Sequence, residues 1–109
     1  MTVKIKRNDI QQAQQVGSIG LEYESLTVDD TAIELTAATY GTLEKALITV
    51  ENAPIRFRID GENPTSEEGH ILNSGDTLKL DTNDDIASFK AIRTTNTDAD
   101  IRVTYSEVG

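Results

Sequence analysis

Apolar and polar residues alternate with a period of two in the middle of the chain and again near its end. In Ile55-Arg56-Phe57-Arg58-Ile59-Asp60, the residues Ile55, Phe57 and Ile59 share one face, and Arg56, Arg58 and Asp60 share the other, as a half-buried strand requires. Ile101, Val103 and Tyr105 set against Arg102 and Thr104 repeat the pattern in the last strand. Shorter stretches rich in β-branched and aromatic residues predict further strands at 21–28, 32–36, 46–50, 77–80 and 88–94. Many short strands at close intervals are the rhythm of a sandwich or barrel, so the fold class expected is all-β, a compact β-sandwich.

Turn residues separate these strands. Asp60-Gly61 is a strong turn dipeptide, and Ser74-Gly75-Asp76 supplies a hairpin-type connection before Leu78 and Leu80. Pro54 stands just before a strand, where its missing donor does least harm. Residues 61–69 have neither periodicity nor apolar content and are expected to form an exposed, acidic loop ending at Gly69, with His70 at the start of a strand. Residues 83–87 suit a single helical turn with a side-chain cap, and 39–43 a tight connection. The first nineteen residues differ in character, being glutamine-rich over 8–16 and only weakly amphipathic. The expected organisation is therefore an N-terminal arm or first strand at 1–19 followed by a β-sandwich domain at 20–109, the arm ordering on a neighbouring subunit.

Composition narrows the function classes. A chain of 109 residues fits one domain with a modest core. The absence of cysteine removes disulfides and thiolate metal sites from consideration. Apolar runs are too short for a signal peptide or a membrane span, so no membrane partner is expected. Ten Lys and Arg against nineteen Asp and Glu give a net charge of −9, which opposes approach to a phosphate backbone and excludes nucleic acid as the main partner. Lys4, Lys6 and Arg7 near the start, with Arg56 and Arg58 in the middle, are the basic residues that stand out. They either solubilise the outward faces of strands or form a polar docking surface for an acidic or mixed partner.

Candidate chemistry is sparse. The single histidine, His70, has no serine elbow and no partner at triad spacing, and it lacks nitrogen or sulfur companions for zinc. Carboxylates are too numerous for any pair to single out a glycosidase, and two phenylalanines without tryptophan are poor material for a sugar cleft. Asp81-Thr82-Asn83-Asp84-Asp85 opens like a calcium loop but continues with Ile86 at the sixth position and Ile92 at the twelfth, where glycine and glutamate belong. No glycine-rich phosphate loop is present. The chain is expected to have no catalytic, cofactor-binding or metal-binding residues, and not to be an enzyme.

The stretch 46–61, running from Ala46-Leu47-Ile48 through Pro54-Ile55-Arg56-Phe57-Arg58 to Asp60-Gly61, is followed by Asn63-Pro64-Thr65, Gly69-His70-Ile71-Leu72 and Ser74-Gly75-Asp76-Thr77-Leu78. Phe89-Lys90-Ala91-Ile92-Arg93 and Ile101-Arg102-Val103-Thr104-Tyr105 complete a succession that resembles small virion proteins of tailed bacteriophages, of the head decoration or cement type. The resemblance implies a jelly-roll-like sandwich on the outer capsid surface, made in the host cytoplasm, without cofactors, bound to the major capsid protein and assembled as a homotrimer. Two other classes stay open: a host-adhesion module of a tail or fibre that binds a glycan or receptor, and a polysaccharide hydrolase. The first forty residues take no part in the resemblance.

Overall fold

The structure, a computed structural model, describes residues 20–107, so the expected arm at 1–19 lies outside the described residues. Within them the alternating segments become strands β1 (Gly20–Val28), β2 (Ile33–Glu34), β3 (Lys45–Glu51), β4 (Ile55–Arg58), β5 (His70–Leu72), β6 (Thr77–Leu80), β7 (Lys90–Arg93) and β8 (Ala99–Ser106). Two short helices interrupt them, α1 (Ala37–Tyr40) and α2 (Asn83–Ser88). Sheet I has the order β1-β8-β3-β6 and sheet II the order β2-β7-β4-β5, with every pairing antiparallel. The expected all-β sandwich is what the chain forms.

Sheet membership alternates in a nested way. The first strand pairs with the eighth, the second with the seventh, the third with the sixth and the fourth with the fifth. Two further ladders, β3 with β8 and β4 with β7, join these pairs into the two sheets. Contacts between residues far apart in sequence therefore dominate the fold.

Period-two alternation builds the core from both sheets. On β8, Ala99, Ile101, Val103 and Tyr105 are all fully buried, because this strand lies between β1 and β3 with one face turned inward. Ala46, Ile48 and Val50 of β3 extend that layer, and Ile55 and Phe57 of β4, Leu72 of β5 and Ala91 of β7 oppose it. Each buried Ile or Phe side chain contributes about 1.5–3 kcal/mol relative to exposure. Helix α2 adds Ile86, and the next residue beyond its end, Phe89, stacks on Phe57 with ring centroids 5.6 Å apart. The Thr82 side chain accepts a 3.1 Å hydrogen bond from the Asp85 N–H, the cap expected for this turn.

Three expectations need correction. Ile59 does not join the packed face: β4 ends at Arg58, and the chain leaves the sheet through Gly61 at φ 87°, leaving Ile59 37% exposed. Asp60 drives that exit, its carboxylate accepting from the Glu62 N–H at 3.2 Å in a turn that competes with the ladder. The strand expected over 88–94 begins at Lys90, since Ser88 completes α2. The strand expected over 32–36 is reduced to two residues, because the Thr36 N–H is taken by the Glu24 carboxylate at 3.1 Å and the chain turns into α1.

Candidate functional site

The two outer faces of the sandwich are unlike, and the difference starts at Gly69. Its φ of 134° lies where side chains are strained, and a Cβ there would sit 3.0 Å from the Phe57 carbonyl oxygen, so only glycine lets the loop 61–69 close onto β4. Arg56, projecting from the outer side of β4, donates to the Ser66 carbonyl at 3.2 Å and the Gly69 carbonyl at 2.8 Å. Lys90 on neighbouring β7 donates to the Gly61 carbonyl at 3.0 Å and lies 3.7 Å from the Glu34 carboxylate. Pro64 is buried beneath the loop, and Thr65 and Glu68 exchange backbone hydrogen bonds of 2.9 and 3.3 Å across its tip. Sheet II is thus overlaid by its own acidic loop along β4 and β7, while Ile71 on its edge strand β5, opposite Arg56, stays 49% exposed.

This arrangement decides the role of two residues the sequence leaves open. Arg56 is a clamp for the loop. Arg58 forms a two-pronged pair with Asp60, whose carboxyl is held down to about 2 by that guanidinium, with the Glu62 N–H assisting. The loop predicted as exposed is exposed at its acidic tips Glu62, Glu67 and Glu68 yet fixed at its root.

Sheet I has no such cover among the described residues. Its cross-strand register sets Tyr23, Thr104, Leu47 and Lys79 in one row across all four strands, and Ser25, Arg102, Thr49 and Thr77 in the next. Tyr23 is 59% and Leu47 42% exposed, an aromatic and an aliphatic side chain in one outward row. Arg102 ties the second row together, donating to the Ser25 hydroxyl at 2.8 Å and the Glu51 carboxylate at 3.1 Å, and its own pKa is raised by that carboxylate. Lys45 lies 3.6 Å from Asp81, whereas Lys79 has no ion-pair partner among the described residues. Lys45, Lys79 and Arg102 stand against Glu51 and Asp100 on this face, so it is close to neutral on a protein of net charge −9.

Two open grooves complete the surface. One of about 350 Å³ runs over sheet I between Lys45, Leu47, Lys79, Leu80, Thr104 and Ser106. The other, about 440 Å³ and more polar, lies at one end of the sandwich between Asp30, Pro64 to Ser66 and Ile92 to Asn96. Below sheet I, the Tyr105 hydroxyl donates to Glu24 at 2.5 Å; burial first, and that carboxylate second, push the phenol well above its usual range.

The remaining candidate residues are scattered. His70 is exposed on β5 and lies against the Phe57 ring, 5.3 Å between centroids. Asp81 faces Lys45, while Asp84 and Asp85 occupy the first turn of α2, a placement the helix dipole favours without a metal ion. Among the described residues no group of three or more His, Cys, Asp or Glu side chains converges on one point. No helix there is long and apolar enough to cross a membrane. Tyr23, Leu47 and Lys79 escape the sequence reading because Leu47 sits in the unbroken apolar run Ala46-Leu47-Ile48, where parity is invisible. Only the register of four strands brings the three together.

No family model, no curated protein and no solved structure matches this chain.

Proposed function

We propose that the protein is a capsid decoration, or cement, protein of a tailed bacteriophage, which binds the outer surface of the head shell and stabilises it through multivalent contacts. One observation carries the reading furthest: the centre of sheet II is overlaid by its own acidic loop, with Ile71 exposed only on its short edge strand, while sheet I presents a nearly neutral face, uncovered by any described residue, with Tyr23 and Leu47 exposed in one row. A protein that lies on a large surface needs one flat face toward it and a repellent outer side, and the two sheets divide in that way. The nested strand pairing supports reading the sandwich as a jelly roll, in which eight strands wrap as one long hairpin into two sheets.

The mechanism follows from scale. A four-stranded face offers limited area, below that of a standard interface, so affinity for a shell comes from several footholds engaged together, as a homotrimer on the major capsid protein provides. The acidic tips of the loop 61–69 then point away from the shell and keep decorated particles apart. Neither catalysis nor a cofactor enters this account.

Sedimentation of the protein with expanded, DNA-free phage heads tests the proposal. Saturable pelleting at a stoichiometry set by the shell lattice is the expected result. A second reading, host adhesion through a glycan or receptor, is favoured by the polar groove at the end of the sandwich. Pelleting with host cells and not with heads would establish that reading in place of the first.

A further inference from the structure

Strand β1 is the long open edge of the sandwich. It spans nine residues, against four for β6, three for β5 and two for β2, the other described edges. One side of β1 is paired to β8 from Gly20 to Val28, and no described strand lies along the other. Exposed edges of that length template the addition of another strand unless proline, a bulge or charge blunts them. Here the bulge is confined to the Gly20/Glu22 end, and the blunting charges are Glu22, which is exposed, and Glu24, which is held inward by Tyr105 and the Thr36 N–H. Two copies of β1 are a poor match: antiparallel pairing centred on Glu24 opposes that residue to itself, and parallel pairing in register stacks both glutamates.

The complementary segment is in the sequence. Residues 20–107 carry seven Lys and Arg against eighteen Asp and Glu, net −11, whereas three of the chain's ten basic residues, Lys4, Lys6 and Arg7, fall within its first seven positions. Val3 and Ile5 alternate there with Lys4 and Lys6, so the stretch has both the period and the β-branched residues of a strand. We propose that residues 2–7 of one copy add as a fifth strand to the open edge of β1 in a neighbouring copy.

Antiparallel pairing of Lys4 with Glu24 sets Lys6 opposite Glu22, Val3 opposite Ser25 and Ile5 opposite Tyr23. Lys6 then neighbours the exposed Glu22, Lys4 joins the Glu24 carboxylate that already accepts from the Tyr105 hydroxyl and the Thr36 N–H, and the exposed Tyr23 ring gains an aliphatic partner on the other face. A neighbour, and not the same copy, is the recipient because of the connection. Twelve residues, 8–19, separate Arg7 from Gly20. Hairpin loops within a sheet usually have about 2–5 residues, while twelve extended residues reach about 40 Å, enough to span to the next subunit. Head-to-tail exchange of such arms closes into a ring when the rotation between successive copies is a whole fraction of a turn, one third for a trimer. The inference supplies the contact between copies that the trimer of the preceding reading needs, and rests on that reading to this extent only.

The test contains no phage heads, so its outcome is separable from that of shell binding. Since the chain has no cysteine, single-cysteine variants Ile5→Cys and Tyr23→Cys, one carrying a mass tag, are mixed in denaturant, refolded together and oxidised. The expected product is the disulfide between unlike chains, in clear excess over both like-chain products, together with an oligomer of the wild-type protein in sedimentation equilibrium. The double variant Lys4→Glu/Lys6→Glu is expected to weaken self-association about tenfold or more, with an unchanged urea midpoint showing that the sandwich is intact. A statistical mixture of disulfides would overturn the proposal. So would a wild-type monomer at all concentrations, or a disulfide that forms only within single chains of the double-cysteine variant Ile5→Cys/Tyr23→Cys.

Discussion

Replacing Gly69 with alanine should release the loop from sheet II, and the cost can be worked from the geometry. At φ 134° an alanine is strained by about 1–3 kcal/mol. Its Cβ would also stand 3.0 Å from the Phe57 carbonyl oxygen, 3.2 Å from the Pro64 Cβ and 3.3 Å from the Arg56 Cβ, so backbone must move. That movement withdraws the Gly69 carbonyl from Arg56, a charge-assisted bond worth about 1.5–3 kcal/mol when its partner is lost. A total of about 2.5–6 kcal/mol is expected, which at an m-value of about 1–2 kcal/mol/M lowers the urea midpoint by at least ~1 M. Gly75→Ala is the control, because Gly75 has φ 95° but nothing within 4 Å of the added Cβ, and its cost is the same strain alone, about 1–3 kcal/mol, without the lost bond. Urea denaturation followed by far-ultraviolet circular dichroism, with amide exchange at Thr65 and Glu68, reads both effects. Equal losses for the two variants, or a Gly69→Ala loss under about 0.5 kcal/mol, would refute the idea that close approach to β4 holds the loop.

Three further outcomes are expected. Ile48→Ala, in the centre of β3 with no exposed surface, should lower stability by about 2–5 kcal/mol in the same denaturation assay. Thr82→Ala removes the cap of α2 and should cost about 1 kcal/mol, with faster amide exchange at Asp85. The Asp60 carboxyl is lowered from 3.8 to about 2 in the folded chain, so the pair with Arg58 contributes above the unfolded value and that contribution is lost as pH falls from about 4 to 2. An acid titration of the wild type should show this component, and Asp60→Asn should lack it.

The sequence carried the sandwich because its strands are half-buried and alternate, as at 55–58 and 101–105, where inward and outward residues were assigned from period alone. It failed where turn chemistry cut a strand short. Asp60 binding the Glu62 N–H ended β4 before Ile59, and Glu24 binding the Thr36 N–H shortened β2, neither of which period can foresee. The three-residue strand β5 was anticipated only through His70 at its start, for three residues give no period. The candidate face was the least legible part. Tyr23, Leu47 and Lys79 are 24 and 32 positions apart along the chain and become one row only when β1, β8, β3 and β6 take their register. Arg56 and Arg58 stand out in sequence as residues that either solubilise an outward strand face or belong to a polar docking surface, and the fold spends both on holding the loop and its turn.

Co-sedimentation with expanded heads, with two variants beside the wild type, tests most directly the proposed binding of a phage head shell by the outer face of sheet I that no described residue covers. Leu47→Glu places a carboxylate in the middle of that face, while Glu67→Gln alters the acidic loop on the opposite side. Wild type and Glu67→Gln are expected to pellet to the same saturation, and Leu47→Glu to stay in the supernatant with its fold intact by circular dichroism. Undiminished pelleting of Leu47→Glu, or wild-type protein that never pellets with heads, would contradict the proposal.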